Sequence, residues 1–155
     1  MRLILSIVFI MLFSACGSDN KDQDGVVRQQ VDERQRLLNE NHQKWNTQNI
    51  LSYSYLYKRV CFCPPEEDVV VMVVDGKVVG ASYTPSGSTV PVDTTAKLLT
   101  VNGLFDQIQT IFDENTSQIN VTYNKEFGFP ERIEIDMDQA AVDGGIVYLV
   151  SDLKY

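Results

Sequence analysis

The residues in this sequence best suited to chemistry are its three cysteines, two of which lie one residue apart. Cys61 and Cys63 stand in the stretch RVCFCPPEED, residues 59–68, and Cys16 lies near the start of the chain. Thiolates at this spacing can bind one metal ion, although a closed zinc site takes about four ligands. His42 is the one histidine that could join them, and copper(I) accepts fewer, softer ligands. A copper or zinc site at Cys61 and Cys63 is therefore one alternative.

The same pair could also carry redox chemistry or form a disulfide. Redox-active dithiols usually have two residues between the thiols at the start of a helix, whereas Cys61 and Cys63 have one between them. A disulfide needs Cβ atoms about 3.8 Å apart, and residues two apart in a regular strand are roughly 6.6 Å apart at Cα. The chain must therefore bend at Phe62, close to Pro64 and Pro65, which end regular pairing. We expect the disulfide and keep thiol-based metal or redox handling as the alternative.

The start of the chain bears on the compartment in which these thiols lie. An almost unbroken apolar run, residues 3–13, is followed by Ser14, Ala15 and Cys16. The run has the length of a signal-peptide core and is too short to cross a bilayer as a helix. The arrangement resembles the lipobox of bacterial lipoproteins, with Phe13 where leucine is usual. The resemblance implies cleavage before Cys16 and attachment of lipid to its sulfur.

The residues around Cys16 also predict a location. Gly17 stands where an aspartate would resemble an inner-membrane retention signal. We therefore expect a lipid-anchored protein of the bacterial cell envelope, in the outer membrane rather than the inner, with its domain in the periplasm or at the cell surface. Acylated Cys16 would join the protein to the lipid bilayer. Exported thiols are usually oxidised, which favours a disulfide between Cys61 and Cys63.

The charge of the chain narrows the classes of partner. The 155 residues include 13 basic and 21 acidic ones, for a formal net charge of −8. Such a balance argues against nucleic acid and permits a cationic envelope protein or peptide. The sequence has no Gly-x-Ser-x-Gly, His-Glu-x-x-His or phosphate-loop motif. We therefore expect no catalytic activity and no cofactor.

Composition divides the chain into three parts. Residues 1–15 read as a signal peptide, residues 16–25 as a polar, flexible tether, and residues 26–155 as a single domain. With 44% apolar residues the chain can bury a core of its own.

Hydrophobic periodicity predicts the elements of this domain. Apolar residues recur at helical spacing over residues 26–48 and again after Thr100. Alternating or β-branched stretches predict three strands after each helix, and Asp75-Gly76 predicts a two-residue hairpin turn. The order helix, three strands, helix, three strands predicts an α+β fold with two helices packed on an antiparallel sheet.

One predicted strand has no polar face. Residues 69–74 read VVVMVV, and a strand that exposes one face to water normally alternates with polar residues. We therefore expect this strand to lie at the centre of the sheet with both faces covered, or to be covered by a partner.

A tyrosine stripe offers a candidate binding surface. Tyr53, Tyr55 and Tyr57 share one face of the strand predicted over residues 51–63. Exposed, these rings could stack on a sugar or a peptide; packed under a helix, they would belong to the core with their hydroxyls at its rim.

Several stretches together resemble a family of small bacterial envelope proteins of unknown function. They include Trp45 and the segments YSYLYKRVCFCP, VDGKVV, TVNGLFDQI, VTYNKEFGFPERIEID and DGGIVYLVSDL, in that order. The resemblance spans roughly Trp45 to Leu153 and includes the Cys-x-Cys strand end. It implies a secreted α+β domain with a cysteine pair, and it implies no activity. The function expected from all of this is a non-catalytic binding or interaction module anchored in the envelope.

Overall fold

The computed structural model describes residues 21–64, 67–114, 118–136 and 145–155, and the side chains among them from residue 33 onward. The expected signal peptide and Cys16 lie outside the described residues. Along the chain the elements are α1 (Lys21–Thr47), β1 (Tyr53–Cys61), β2 (Asp68–Val74), β3 (Lys77–Thr84), α2 (Val92–Thr95), α3 (Val101–Glu114), β4 (Gln118–Tyr123), β5 (Pro130–Asp136) and β6 (Gly145–Lys154). Helix α1 includes Lys21–Gly25, which the sequence assigned to the tether.

All six strands form one antiparallel sheet in the order β3-β2-β1-β6-β5-β4. Strands β1 to β3 are joined in sequence on one side, and β4 to β6 on the other. The two halves meet where β1 pairs with β6, from Ser54 opposite Lys154 to Cys61 opposite Ile146. This central pairing joins residues almost a hundred positions apart in the sequence, so local patterns could not reveal it.

The predicted α+β fold of two helices on a sheet is wrong. The described residues form a mainly β fold, built on the six-stranded sheet, with three helices of which only α1 and α3 are longer than one turn. The additional helix, α2, follows Pro91, whose fixed φ favours the start of a helical turn. The amides of Thr94 and Thr95 donate to the Pro91 carbonyl oxygen. This short helix was not among the elements predicted from the sequence.

Alternation along the strands gives the sheet two unlike faces. On the inner face, which α1 and α3 cover, lie all the strand residues that are buried, including Tyr55, Val71 and Ile133 at 1%, 0% and 1% exposure. The outer face carries the intervening residues, each of them exposed or half-buried. Because both long helices pack on one side, the outer face has no second layer among the described residues.

The two long helices lie antiparallel over the inner face. The His42 ring stacks on Phe105 with the ring centroids 4.4 Å apart, and Gln35 and Gln109 exchange side-chain hydrogen bonds. Trp45 at the end of α1 is 3% exposed. These contacts fix α1 along most of the length of α3.

Two turns require glycine, at Gly76 and at Gly128, for different reasons. Asp75 and Gly76 join β2 to β3 with φ of 49° and 71°, as a two-residue hairpin with both central residues left-handed requires. Gly128, with φ of 85°, lies against the end of α1, where an added Cβ would be 2.6 Å from the Asn41 carbonyl oxygen. Beside it, Lys44 Nζ donates to the Lys125 carbonyl oxygen. Only glycine allows the β4–β5 turn to approach α1 this closely.

No helix in the described part of the chain is both long enough and apolar enough to span a membrane.

Candidate functional site

Two of the three stripe tyrosines belong to the core. Tyr53 and Tyr55 are 7% and 1% exposed. The Tyr55 hydroxyl donates to the Leu99 carbonyl oxygen, and the Tyr53 hydroxyl accepts a hydrogen bond from the Val101 amide at 2.8 Å. Burial raises the pKa of both phenols, which keeps them neutral. Their hydroxyls position the start of α3, so neither ring offers a surface to a ligand.

The third tyrosine of the stripe lies at the margin of the inner face. Tyr57 is half-buried, and its ring stacks on Tyr148 of β6 with centroids 5.9 Å apart. Of the three candidate rings, only Tyr57 therefore remains partly accessible, next to Tyr148.

The cysteine pair forms an exposed corner at the end of β1. The Sγ atoms of Cys61 and Cys63 are in contact, and their Cα atoms are 5.2 Å apart. That separation is shorter than the roughly 6.6 Å of a regular strand and within the range of about 4.4–6.8 Å that disulfides span. The chain bends at Phe62, whose side chain is 85% exposed.

In the described part of the chain, no third metal ligand joins the two cysteines at this corner. His42 is stacked on Phe105. Met72 lies opposite Ser54 on the outer face, which is about 23 Å along β1 from Cys61 at the usual rise per residue. Among the described residues, no group of three or more His, Cys, Asp or Glu side chains could hold a metal ion.

The most conspicuous surface is an apolar stretch of the outer face that spans three strands. We call it the outer patch; it comprises Leu56 and Val60 of β1, Val70, Met72 and Val74 of β2, and Val147 and Leu149 of β6. Val60, Met72 and Val74 are 45%, 44% and 46% exposed. Strand pairing places Leu56 opposite Val70 and Val60 opposite Val147, with Lys58 and Leu149 in the row between them. The exposed Phe62 follows the end of β1.

The Met72 side chain packs over the neighbouring strand β3. Gly80 of β3 lies opposite Met72, and a Cβ on this glycine would be 3.0 Å from the Met72 Cε. The methionine side chain therefore lies across the neighbouring strand. Methionine adapts its shape readily to an apolar partner.

The charged neighbours of the outer patch carry both signs. Lys58 pairs with Asp68 at 3.2 Å and Arg132 with Glu134 at 3.5 Å. Exposed pairs of this kind contribute only about 0–1 kcal/mol each. Lys58 lies between Leu56 and Val60 on the outer face of β1 and opposite Leu149, so the patch encloses one exposed ion pair, and Arg132 and Glu134 border it on β5.

The sequence indicated that one strand has no polar face, but not which of its faces is exposed. The run VVVMVV indicated a strand covered on both faces or covered by a partner. Strand β2 is second from the edge, with Val69, Val71 and Val73 buried under the helices. Its other face is covered by no element among the described residues.

Comparison with known proteins gives a family. The model of a family of unknown function, DUF6174, matches residues 37–155. No curated protein and no solved structure matches the chain. The expected likeness to a family of unknown function is confirmed, and the match begins within α1, somewhat before Trp45.

Proposed function

Because the chain belongs to the DUF6174 family, whose description states no function, we propose a function from the geometry of this member: it is a non-catalytic interaction module, anchored by lipid in the bacterial cell envelope, that binds a partner protein across the outer patch. The observation that carries the proposal is the apolar outer face of β1, β2 and β6. Contiguous exposed apolar area is uncommon on soluble monomers and marks binding surfaces.

The anchored location is supported by the residues that precede the domain. The apolar run of residues 3–13 and the small residues Ser14 and Ala15 lead to Cys16 as in a lipobox. A Cys16→Ala protein should lose incorporation of labelled palmitate and leave the membrane fraction, since a peripheral apolar patch alone holds a protein far less firmly than two or three acyl chains. Unchanged fractionation with membranes would refute the anchor while leaving the outer patch untouched.

Apolar contact supplies most of the affinity in this proposal. Burying a side chain such as Met or Phe contributes roughly 1.5–3 kcal/mol, whereas the mixed rim charges contribute little. The net charge of −8 favours a cationic protein or peptide of the envelope as the partner, through faster encounter rather than stronger contact.

Capture from an envelope extract tests the surface. Phe62→Ser and Met72→Ser each remove an exposed apolar group at or beside the patch, and both should reduce the captured partner strongly. Val92→Ser is the matched control, because Val92 is 83% exposed but lies on α2 and not on a strand of the outer face. If all three variants capture the same proteins in equal amounts, the outer patch is not the binding surface.

A salt series tests the class of partner. Capture of a cationic partner should weaken as salt rises, because screening shortens the reach of charge. Capture that is insensitive to salt, yet lost in Met72→Ser, would retain the patch and refute the cationic class.

A second candidate function is thiol–disulfide handling by Cys61 and Cys63. The observation that favours it is the contact of the two sulfurs at an exposed corner, where another thiol could reach them. It requires a partner dithiol that gives up two electrons and two protons as the Cys61–Cys63 bond breaks. Protein isolated from cells under acid quench should then contain a reduced fraction. A fully oxidised pair that resists mild reductant would exclude both this cycle and metal binding through the thiols.

A further inference from the structure

The two edge strands of the sheet, β3 and β4, differ in whether other residues lie along their outer edges. The later part of the β3 edge is covered by residues 87–90, which fold back along it: Ser82 bridges to Thr89, and the Val90 amide donates to the Ala81 carbonyl oxygen at 3.0 Å. At the opposite edge, β4 pairs with β5 alone, and no other described residue forms a ladder with it. An edge strand directs every second amide and carbonyl away from its one neighbour.

Strand β4 also lacks the usual protection of such an edge. Its sequence, QINVTY, contains no charged residue and no proline, the two features that most often prevent edge pairing. It alternates regularly: Ile119, Val121 and Tyr123 face the inner side, whereas Gln118, Asn120 and Thr122 are exposed on the outer side. Val121 and Tyr123 are only half-buried, although residues at the same level of β5 are covered.

We propose that β4 pairs antiparallel with β4 of a second copy of this chain, so that two sheets join into one of twelve strands. A twofold axis through Asn120 sets Ile119 opposite Val121 of the other copy, and an axis through Val121 sets Ile119 opposite Tyr123. In either register inner residues meet inner residues and polar residues meet polar residues. Registers that would place an apolar residue opposite a polar one are excluded by the period of two.

The occupant is a second copy because the alternation of β4 is complementary to itself under a twofold axis. Each chain carries a net charge of −8, so copies repel one another at low salt. Strand β4 is uncharged, and self-pairing therefore adds no like charges opposite each other. It also extends both inner faces on the same side, which covers the half-buried Val121 and Tyr123. This pairing uses the edge of the sheet and is independent of the outer patch.

Cross-linking at the edge tests the pairing. In purified full-length protein, Asn120→Cys should give a linked dimer with a short bis-maleimide, because Asn120 lies at or next to the axis. Ser151→Cys is the matched control, since Ser151 is exposed on the outer face of the central strand β6, and the unsubstituted protein sets the background. Equal cross-linking at both positions, or none at Asn120→Cys, would overturn the proposal.

Exchange of charge gives a second test that does not depend on cross-linking. Asn120→Lys and Asn120→Glu should each abolish the dimer in sedimentation, because each sets like charges opposite or diagonal to each other. A mixture of the two variants should restore a heterodimer. In the unsubstituted protein the dimer fraction should rise with salt, since screening reduces the repulsion of two acidic chains. Dimers that persist in both single variants would show that another surface joins the copies.

The same two variants distinguish this inference from the proposed role of the outer patch. The dimer should persist in Met72→Ser and be lost in Asn120→Lys. Partner capture should show the reverse pattern, so that either proposal can fail without the other.

Discussion

The phenolic oxygen of Tyr53 accepts a hydrogen bond from the backbone amide of Val101 at 2.8 Å, so a residue of β1 caps the first amide of α3. The neighbouring Tyr55 donates to the Leu99 carbonyl oxygen just before the helix. Thr100 adds a local cap, since its Oγ1 accepts from the Gly103 amide at 3.0 Å. The start of α3 is therefore held to the central strand by two tyrosines.

Removal of either phenolic hydroxyl should destabilise the protein. Tyr53→Phe leaves the buried Val101 amide without its acceptor, and Tyr55→Phe leaves the Leu99 carbonyl without this donor. An unsatisfied buried polar group costs about 1–3 kcal/mol, which should appear as a lower urea midpoint. Tyr148→Phe is the control, because Tyr148 contributes its ring to the stack with Tyr57 and should change stability little. Equal midpoints for all three variants would show that the two hydrogen bonds add nothing.

Stability should fall in alkaline solution. Burial raises the pKa of Tyr55 above its ordinary value of 10.0, and nearby Tyr53 and Tyr57 add to the effect. Burial also raises the pKa of Tyr53, despite the opposing hydrogen bond from Val101, and that of Tyr123. Above pH about 10 the unfolded chain releases phenolic protons that the folded chain keeps, so the free energy of unfolding decreases as pH rises.

Urea titrations from about pH 8 to about pH 11.5 check this dependence. Below pH about 10 the stability that comes from keeping these phenols protonated is fully present. Above it, Tyr55 alone can lower the free energy of unfolding by about 1.4 kcal/mol per pH unit. Tyr55→Phe should flatten the alkaline limb. An equally steep limb in that variant would assign the loss to other groups.

A methyl group at the β4–β5 turn should loosen the contact with α1. Gly128→Ala places a Cβ 2.6 Å from the Asn41 carbonyl oxygen and 3.0 Å from the Lys44 Cβ, at φ of 85°. Gly87→Ala is the matched control, because Gly87 has φ of 72° but open space around it. The left-handed conformation costs roughly 1–2 kcal/mol in both variants, and overpacking adds about 1–3 kcal/mol at Gly128 alone. Thermal melts should therefore rank Gly128→Ala well below Gly87→Ala, and a reversed order would contradict the close approach.

The thiol state of the corner can be measured directly. Without reductant, unfolded protein treated with iodoacetamide should remain unmodified at Cys61 and Cys63, because each sulfur is occupied by the other. After reduction both should be alkylated. Cys61→Ser provides the control, since it frees Cys63 and should add one label without reductant. Two labels before reduction would show that the two cysteines are not joined by a disulfide, and would strengthen the metal alternative.

Local patterns in the sequence carried much of the information about single elements. The stripe after Thr100 became α3, whose Val101, Leu104, Phe105 and Ile108 are buried. Asp75 and Gly76 are both left-handed, because a two-residue hairpin requires it. Such features depend on near neighbours, which the sequence shows directly.

Features that depend on distant residues were not predictable. Alternation shows that Tyr53, Tyr55 and Tyr57 share a face, but the docking of α1 and α3 decides that two of them are buried. The fold class was wrong because periodicity detects helices and strands without showing that β1 and β6 join two meanders into one sheet with one covered face. The outer patch exists because both long helices cover the same face of the sheet. Residues 69–74 show that one strand is apolar on both faces, but not which face is left exposed.

Helix α1 has a mechanical consequence when the chain is pulled from its N-terminal end. Its contacts with the rest of the domain follow one another along the helix: Arg34 over the Phe112 ring, Gln35 with Gln109, then His42 on Phe105. A force that lifts Lys21 away from the sheet loads these contacts one at a time, so α1 peels at low force instead of shearing at high force. Trp45, buried at the far end, yields last. A pulling force on the N-terminal end would therefore expose the aromatic side chains beneath α1 step by step before the sheet unfolds.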